Sequence, residues 1–305
     1  MQDYYKTLTD SFEKSQVFVN EPMSKHTSFK IGGNADILIS VRSKEEILNA
    51  VKICSENKLP FYITGNGSNL LVRDGGFRGV IIKIAKDFGA LTLTSETSVY
   101  CEAGALLASL AGYALNNSLS GLEFASGIPG TVGGAVYMNA GAYDGEIKDV
   151  LVSADILDMT NGGFKEIKLT NEQLKFGYRT SIIEKEPYIV LGAEFALNPG
   201  NFDDIKAKSD DFNAQRRDKQ PLELPSAGST FKRPKGSFAG KLIMDSGLRG
   251  YRIGGASVSE KHCGFIVNNG GATAMDVLKL IDHVQNVVFK KFDVMLKPEI
   301  RIVGE

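Results

Sequence analysis

Cysteine and histidine are scarce in this chain, and long apolar runs are missing. Cys54, Cys101 and Cys263 stand far apart in 305 residues. Their number and spacing fit neither a disulfide framework nor a zinc site, so they read as free thiols of a reducing cytoplasm. His26, His262 and His283 are likewise too scattered to form a metal site, and none is expected. No apolar run approaches the roughly 18 residues that a membrane span requires. The opening stretch MQDYYKTLTDSFEKSQV has no apolar centre and carries Asp3, Asp10 and Glu13, which argues against a secretory signal. Net charge is only −1, so the molecule as a whole is not an obvious nucleic-acid binder. Repeats and low-complexity tracts are absent. What remains is 43% hydrophobic and 23% charged, ordinary for a globular enzyme. The length suits two or three domains.

Against that plain background, residues 121–145 stand out: GLEFASGIPGTVGGAVYMNAGAYDG. Seven of these 25 residues are glycine, and only Glu123 and Asp144 are charged. Glycine admits positive φ and close approach of another group, at an entropic cost to folding. Such density implies backbone shaped around a large, flat, partly anionic ligand. Thr131 is placed to cap a short helix through Met138, whose N-terminus favours an anion. A second glycine-rich stretch, TGNGSNLLV (64–72), lies between two apolar runs. Gly65 and Gly67 permit a tight turn, and Asn66, Ser68 and Asn69 add short hydrogen-bonding side chains, a nest suited to a pyrophosphate. It is neither a Rossmann nor a Walker loop. Read alone, it is equally a hairpin with Asn-Gly turn chemistry.

The hydrophobic pattern predicts a helix over 2–16 and another over 43–58. Ser43 is expected to cap the second, with Glu46 completing a capping box and Ile47, Ala50, Val51 and Cys54 facing inward. Strands are expected at 61–64, 69–72 and 79–84, then around 90–102, with a helix at 105–117. Further strands fall near 149–158, 163–169 and 188–197, with an NGG turn at 161–163. A charged helix (202–218), a long helix (273–291) and a final strand (299–303) complete the chain. Between Arg216 and Arg252, nine basic residues face three acids, a local charge of +6. A solvated face is the usual reason for such a run. Nucleic-acid binding would want aromatic stacking platforms that this stretch lacks.

Five motifs in this order resemble the UDP-N-acetylenolpyruvoylglucosamine reductase family: GNGSNLLV, SGIPGTVGGAVYMNAGAYDGEI, FGYRTS (176–181), PSAGSTFKRP (225–234) and LKPEIRIVG (296–304). The similarity runs from HTSFKIGG (26–33) to the C-terminus. It implies an α+β chain: a two-subdomain FAD-binding fold of the p-cresol methylhydroxylase type plus a C-terminal α+β substrate domain. The corresponding divisions are an N-terminal helix and lead-in (1–25), FAD subdomains at 26–88 and 89–200, and a substrate domain at 201–305. It also implies non-covalent FAD and NADPH as reductant. The enolpyruvyl ether of a UDP-sugar is reduced to the lactyl ether for cell-wall synthesis, in a cytoplasmic monomer or weak oligomer. In the family NADPH reduces the flavin, NADP leaves and the sugar nucleotide takes its place. Hydride then passes from flavin N5 to the vinyl carbon, and the carbanion-like neighbour is protonated.

The resemblance assigns roles residue by residue. Arg179 matches the arginine that stabilises charge spreading into the substrate carboxylate, for which a bidentate guanidinium is suited. Ser229 matches the proton donor, and Glu299 the active-site glutamate. Lys219, Arg233 and His262 are assigned to substrate binding. Gly65, Asn66, Gly67, Ser68, Asn69 and Leu70, with Gly127, Ile128, Pro129, Gly130, Thr131, Val132, Gly133, Gly134 and Ala135, are assigned to the flavin. A bulky side chain at Gly130 or Gly133 is expected to cost flavin binding first. Arg233 stands where longer family members carry an asparagine, and His262 where they carry a glutamine, so the chain resembles the shorter type. An alcohol or sugar oxidase on the same flavin fold is the competing reading, with His26 or Cys101 as possible covalent anchors.

Overall fold

The structure is a computed structural model that describes residues 2–305; Met1, the first residue of the expected lead-in, lies outside them. The chain forms two compact units that interleave along the sequence. The first comprises Met1–Phe18, Leu38–Asn66 and Val80–Arg216, and the second Val19–Ile37, Gly67–Gly79 and Arg217–Glu305.

In the first unit, helix α1 (Gln2–Ser11) stops short of the expected residue 16. The reason is visible: Gln16 leaves the helical path and sends its side chain to the Ser40 carbonyl (3.0 Å) and the Glu46 carboxylate (2.7 Å). Helix α2 (Lys44–Glu56) buries Ile47, Ala50, Val51 and Cys54, as its periodicity requires, and Ser43 caps it through the Glu46 N–H. The expected capping box is displaced by one residue, because the Glu46 carboxylate accepts from the Arg42 N–H at 2.7 Å. Phe61–Thr64 pairs in parallel with Val80–Lys83, Phe61 opposite Val80.

A five-stranded antiparallel sheet follows, in the order Lys165–Thr170, Leu151–Asp158, Tyr188–Ala196, Ser98–Glu102 and Leu91–Leu93. Asn161 (φ 55°) and Gly162 (φ 73°) lie in the loop between its first two strands, the positive-φ pair that an Asn-Gly turn supplies. Helices α3 (Leu107–Asn116), α4 (Val132–Met138) and α5 (Phe202–Lys219) complete this part of the chain.

In the second unit, a four-stranded antiparallel sheet has the order Ser226–Ser229, Phe265–Asn268, Ala256–Val258 and Arg252–Ile253. It is accompanied by helices α6 (Ala239–Asp245) and α7 (Ala274–Phe292). Helix α7 buries Ala274, Val277, Leu280, Ile281, Val284 and Val288, an apolar stripe at helical spacing. Thr273 and Asp276 form a capping box at its start, and Asp74 accepts from the Ala274 and Met275 N–H groups at 2.7 and 2.9 Å. That stripe meets Phe29, Leu71, Phe231, Ile243 and Leu296 in one core. Leu70–Val72 pairs in parallel with Arg301–Val303. Among the described residues, no helix is long and apolar enough to cross a membrane.

Candidate active site

The glycine-rich segment folds as a loop, helix α4 and a short hairpin pairing Gly141–Ala142 with Gly145–Glu146. Thr131 caps α4 as the sequence requires, its hydroxyl accepting the Gly134 N–H at 3.4 Å. Gly65 comes from the other glycine-rich loop and lies against the same threonine: a Cβ there would stand 2.3 Å from Thr131 Oγ1. The first unit therefore brings these two loops together. The glycines differ in what they serve. Gly133 packs on the turn that follows the Ser98–Glu102 strand, where a Cβ would meet Ala103 Cβ at 3.0 Å, and its N–H bonds the Ala103 carbonyl at 2.8 Å. Gly130 has φ 121°. Gly134 is exposed, and a Cβ there would meet nothing closer than Thr131 Oγ1 at 3.6 Å. The protein itself leaves Gly134 room for a side chain, so its bareness fits a flat ligand laid against α4. Val132 and Ala135 are core side chains, 0% and 5% exposed. Gly127 lies against Asn213 and Arg216 of α5, in the loop that also holds Ile128 and Pro129.

Arg179 sits in a two-residue turn closed by the Gly177–Thr180 pair, with φ 55°. Its guanidinium donates to the Gly141 carbonyl at 2.6 Å and the Asn139 carbonyl at 3.4 Å, and lies 4.0 Å from Glu146.

The second unit holds the rest. Gly67 lies against the His26 carbonyl, and its own carbonyl accepts the Ser28 N–H at 3.2 Å. Ser28 Oγ donates to the Ser226 carbonyl at 2.6 Å and to the Ser68 carbonyl at 3.4 Å. Asn69 donates from Nδ2 to the Glu299 carbonyl at 3.2 Å, and Leu70 is buried in its strand. Ser229 ends a strand that bulges between Ser226 and Ser229, where Gly228 takes φ 75°. A bulge re-aims the side chains beyond it: Ser229 is exposed, while Ala227 and Thr230 are buried. The Thr230 N–H and hydroxyl bond to Gly264 and Ile266, and its carbonyl accepts the Glu299 N–H at 2.8 Å. Ser229, as chain neighbour, and Glu299, through its N–H, are thus both tied to Thr230, although 70 positions separate them in sequence.

Of the expected substrate residues, Lys219 ends α5, and Arg233 lies over the Phe238 ring at 3.9 Å. His262 Nδ1 accepts the Gly264 N–H at 3.0 Å, which puts the proton of the neutral ring on Nε2. Burial holds its pKa below the ordinary value. Burial also pushes the Cys101 thiol up to about 12, which disfavours the thiolate that a covalent anchor would need. Sequence reasoning passed over Ser28, Asn139 and Glu146, although all three lie inside stretches already singled out.

Residues 220–303 match the family profile described as UDP-N-acetylenolpyruvoylglucosamine reductase, C-terminal domain, and residues 35–168 match an FAD binding domain. A UDP-N-acetylenolpyruvoylglucosamine reductase from Clostridium perfringens is 52% identical over 302 residues, covering 99% of this chain and 98% of the relative. The chain belongs to the UDP-N-acetylenolpyruvoylglucosamine reductase family. A reductase of that name from Clostridioides difficile is 51% identical over 304 residues, with 100% and 99% coverage. The solved UDP-N-acetylenolpyruvylglucosamine reductase of Thermus caldophilus superposes with a TM-score of 0.80 at 35% identity, over 95% of this chain and 98% of that one. An alkyldihydroxyacetonephosphate synthase structure shares the fold alone, with a TM-score of 0.50 at 15% identity over 65% of this chain and 41% of its own. The fold is therefore the FAD-binding fold of the p-cresol methylhydroxylase type with the family's C-terminal domain, and the chain is an FAD-dependent oxidoreductase.

Proposed function

We propose that this chain reduces the enolpyruvyl ether of UDP-N-acetylglucosamine enolpyruvate to the lactyl ether of UDP-N-acetylmuramate. NADPH is the reductant, and the setting is cytoplasmic peptidoglycan precursor synthesis. The observation that carries the reading is that Ser229 and Glu299 are both tied to Thr230, in a chain whose relatives bear this reductase name over their full length. FAD held by residues 65–70 and 127–135 would supply the hydride that reduces the vinyl group of the substrate.

The chain's own residues do the rest. Arg179 binds the substrate carboxylate, into which the developing negative charge spreads. Ser229 donates the proton to the adjoining carbon. Serine is a weak acid, but the carbanion is a far stronger base, so transfer is downhill once the geometry is held. Glu299 orients a water or polarises the carboxylate as an acid, and the acid role requires burial to raise its pKa. Lys219, Arg233 and the Nε2–H of His262 bind the UDP moiety. Residues 65–70 and 127–135 hold FAD without a covalent bond. Residues 26–88 and 89–200 serve the flavin, residues 201–305 serve the substrate, and the enzyme works as a monomer or weak oligomer.

The test is NADPH consumption by the purified yellow protein with and without the enolpyruvyl nucleotide, with the product identified by mass. Stoichiometric lactyl ether is expected. A colourless protein that FAD does not reconstitute would sink the reading.

A further inference from the structure

We propose that Asn139 is the positioning residue of Arg179. This rests on the reading that Arg179 binds the substrate carboxylate.

Asn139 ends α4 in the left-handed conformation (φ 46°, ψ 60°) and is fully buried. Glycine is the usual residue there, and it would suffice to stop the helix. The side chain therefore has another task. Nδ2 donates to the Gly177 carbonyl at 3.1 Å and to Glu146 Oε2 at 3.0 Å, while Oδ1 accepts the Lys148 N–H at 3.0 Å. An amide offers two donors and two acceptor lone pairs, and here three of those four are committed, none of them within α4.

Two of these three bonds, those to Gly177 and Glu146, converge on one target. Gly177 opens the tight turn that carries Arg179, and Glu146 lies 4.0 Å from the Arg179 guanidinium. The Asn139 carbonyl itself accepts from Arg179 Nη1 at 3.4 Å, beside the 2.6 Å bond from Nη2 to Gly141. Asn139 thus grips both the backbone turn and the charged head of Arg179. The turn needs such a grip, because Arg179 holds φ 55°, a conformation that a non-glycine residue keeps only when its surroundings over-determine it. The Ser181 hydroxyl fastens the far side of the turn to the Tyr137 carbonyl of α4 at 2.7 Å. The arginine is therefore referenced to the C-terminal end of the helix whose first turn carries Gly133 and Gly134.

Asn139→Gly tests this, since glycine accepts the same φ and removes only the side-chain bonds. Single-turnover kinetics of both half-reactions are compared across the variants. Flavin reduction by NADPH is expected to stay within about two-fold of the parent, and flavin reoxidation by the enolpyruvyl nucleotide to slow roughly 10- to 100-fold, the scale of an ångström of misplacement. In an Arg179→Lys background, Asn139→Gly is expected to add less than about two-fold, because a residue acting only through Arg179 has nothing left to position. Equal slowing of both half-reactions, or a multiplicative double variant, overturns the proposal and leaves Asn139 a merely structural residue. An Arg179→Lys variant with normal reoxidation overturns instead the reading of Arg179, and the proposal with it. Asn139→Asp, which keeps the shape and the acceptor but loses both donors, is expected to show the same split and guards against a glycine variant that does not fold.

Discussion

Gly134→Ala separates the two reasons for which a glycine is kept. Gly134 is exposed in the first turn of α4, and an added Cβ would make only ordinary contact with Thr131 Oγ1 at 3.6 Å. In a helix alanine is preferred to glycine by up to about 1 kcal/mol. The apoprotein is therefore expected to gain roughly 0.5–1 kcal/mol, which raises its Tm by about 1–4 °C for a chain of this size. The same methyl stands where the flavin is proposed to lie, so FAD affinity is expected to fall at least about ten-fold, or about 1.4 kcal/mol. Gly133→Ala is the matched control. Its Cβ would meet Ala103 Cβ at 3.0 Å and the Ala103 carbonyl at 3.2 Å. Overpacking of that kind costs roughly 1–3 kcal/mol, so apoprotein stability should fall before any ligand is added. This revises the expectation that Gly133 answers to the flavin first. Differential scanning calorimetry of apoprotein, with FAD titrated by fluorescence quenching, reads both quantities. A Gly134→Ala protein that binds FAD as tightly as its parent refutes the placement of the cofactor against α4. One whose apo form loses stability refutes the packing argument.

Ser229→Ala should leave NADPH-driven flavin bleaching nearly intact and slow reoxidation by the enolpyruvyl nucleotide by orders of magnitude, with partial recovery in Ser229→Cys; equal loss in both half-reactions removes Ser229 as donor. His262 is half-buried, and burial holds its folded pKa below the ordinary histidine value. Its contribution to stability is therefore complete above that ordinary value and is lost as pH falls through it, because the unfolded chain then binds a proton that the folded chain refuses. Denaturant titrations of His262→Gln should show a shallower loss on acidification, and an unchanged slope would contradict the assignment. Thr131→Ala removes the cap on Gly134, and urea unfolding should show a loss of about 0.5–2 kcal/mol; no change would mean the 3.4 Å bond contributes nothing.

Much of this architecture was legible in the chain. Helix α2, its Ser43 cap and the Thr131 cap follow from short-range rules, because each depends on residues within four positions. The Asn161–Gly162 turn is equally local. Helix α6 and the short strands of the second unit escaped, since Arg252–Ile253 and Ala256–Val258 are too brief to show a period. The end of α1 escaped because a distant partner, the Ser40–Glu46 region, draws Gln16 away. In the candidate site, residue types and motif order pointed to Ser229, Arg179 and Glu299. Their supports were not readable: Asn139 looks like an ordinary helix-ending asparagine until Gly177, 38 positions on, is folded against it. The pairing of Ser229 with Glu299 depends likewise on a Thr230–Glu299 bond that no local pattern encodes.

The most direct test is anaerobic stopped-flow spectroscopy of the flavin band, with NADPH mixed first and UDP-N-acetylglucosamine enolpyruvate second. The account predicts rapid bleaching by NADPH, then full return of the oxidised spectrum when the enolpyruvyl nucleotide is added without oxygen. A reduced flavin that persists in the presence of that nucleotide and reoxidises only with oxygen would contradict it.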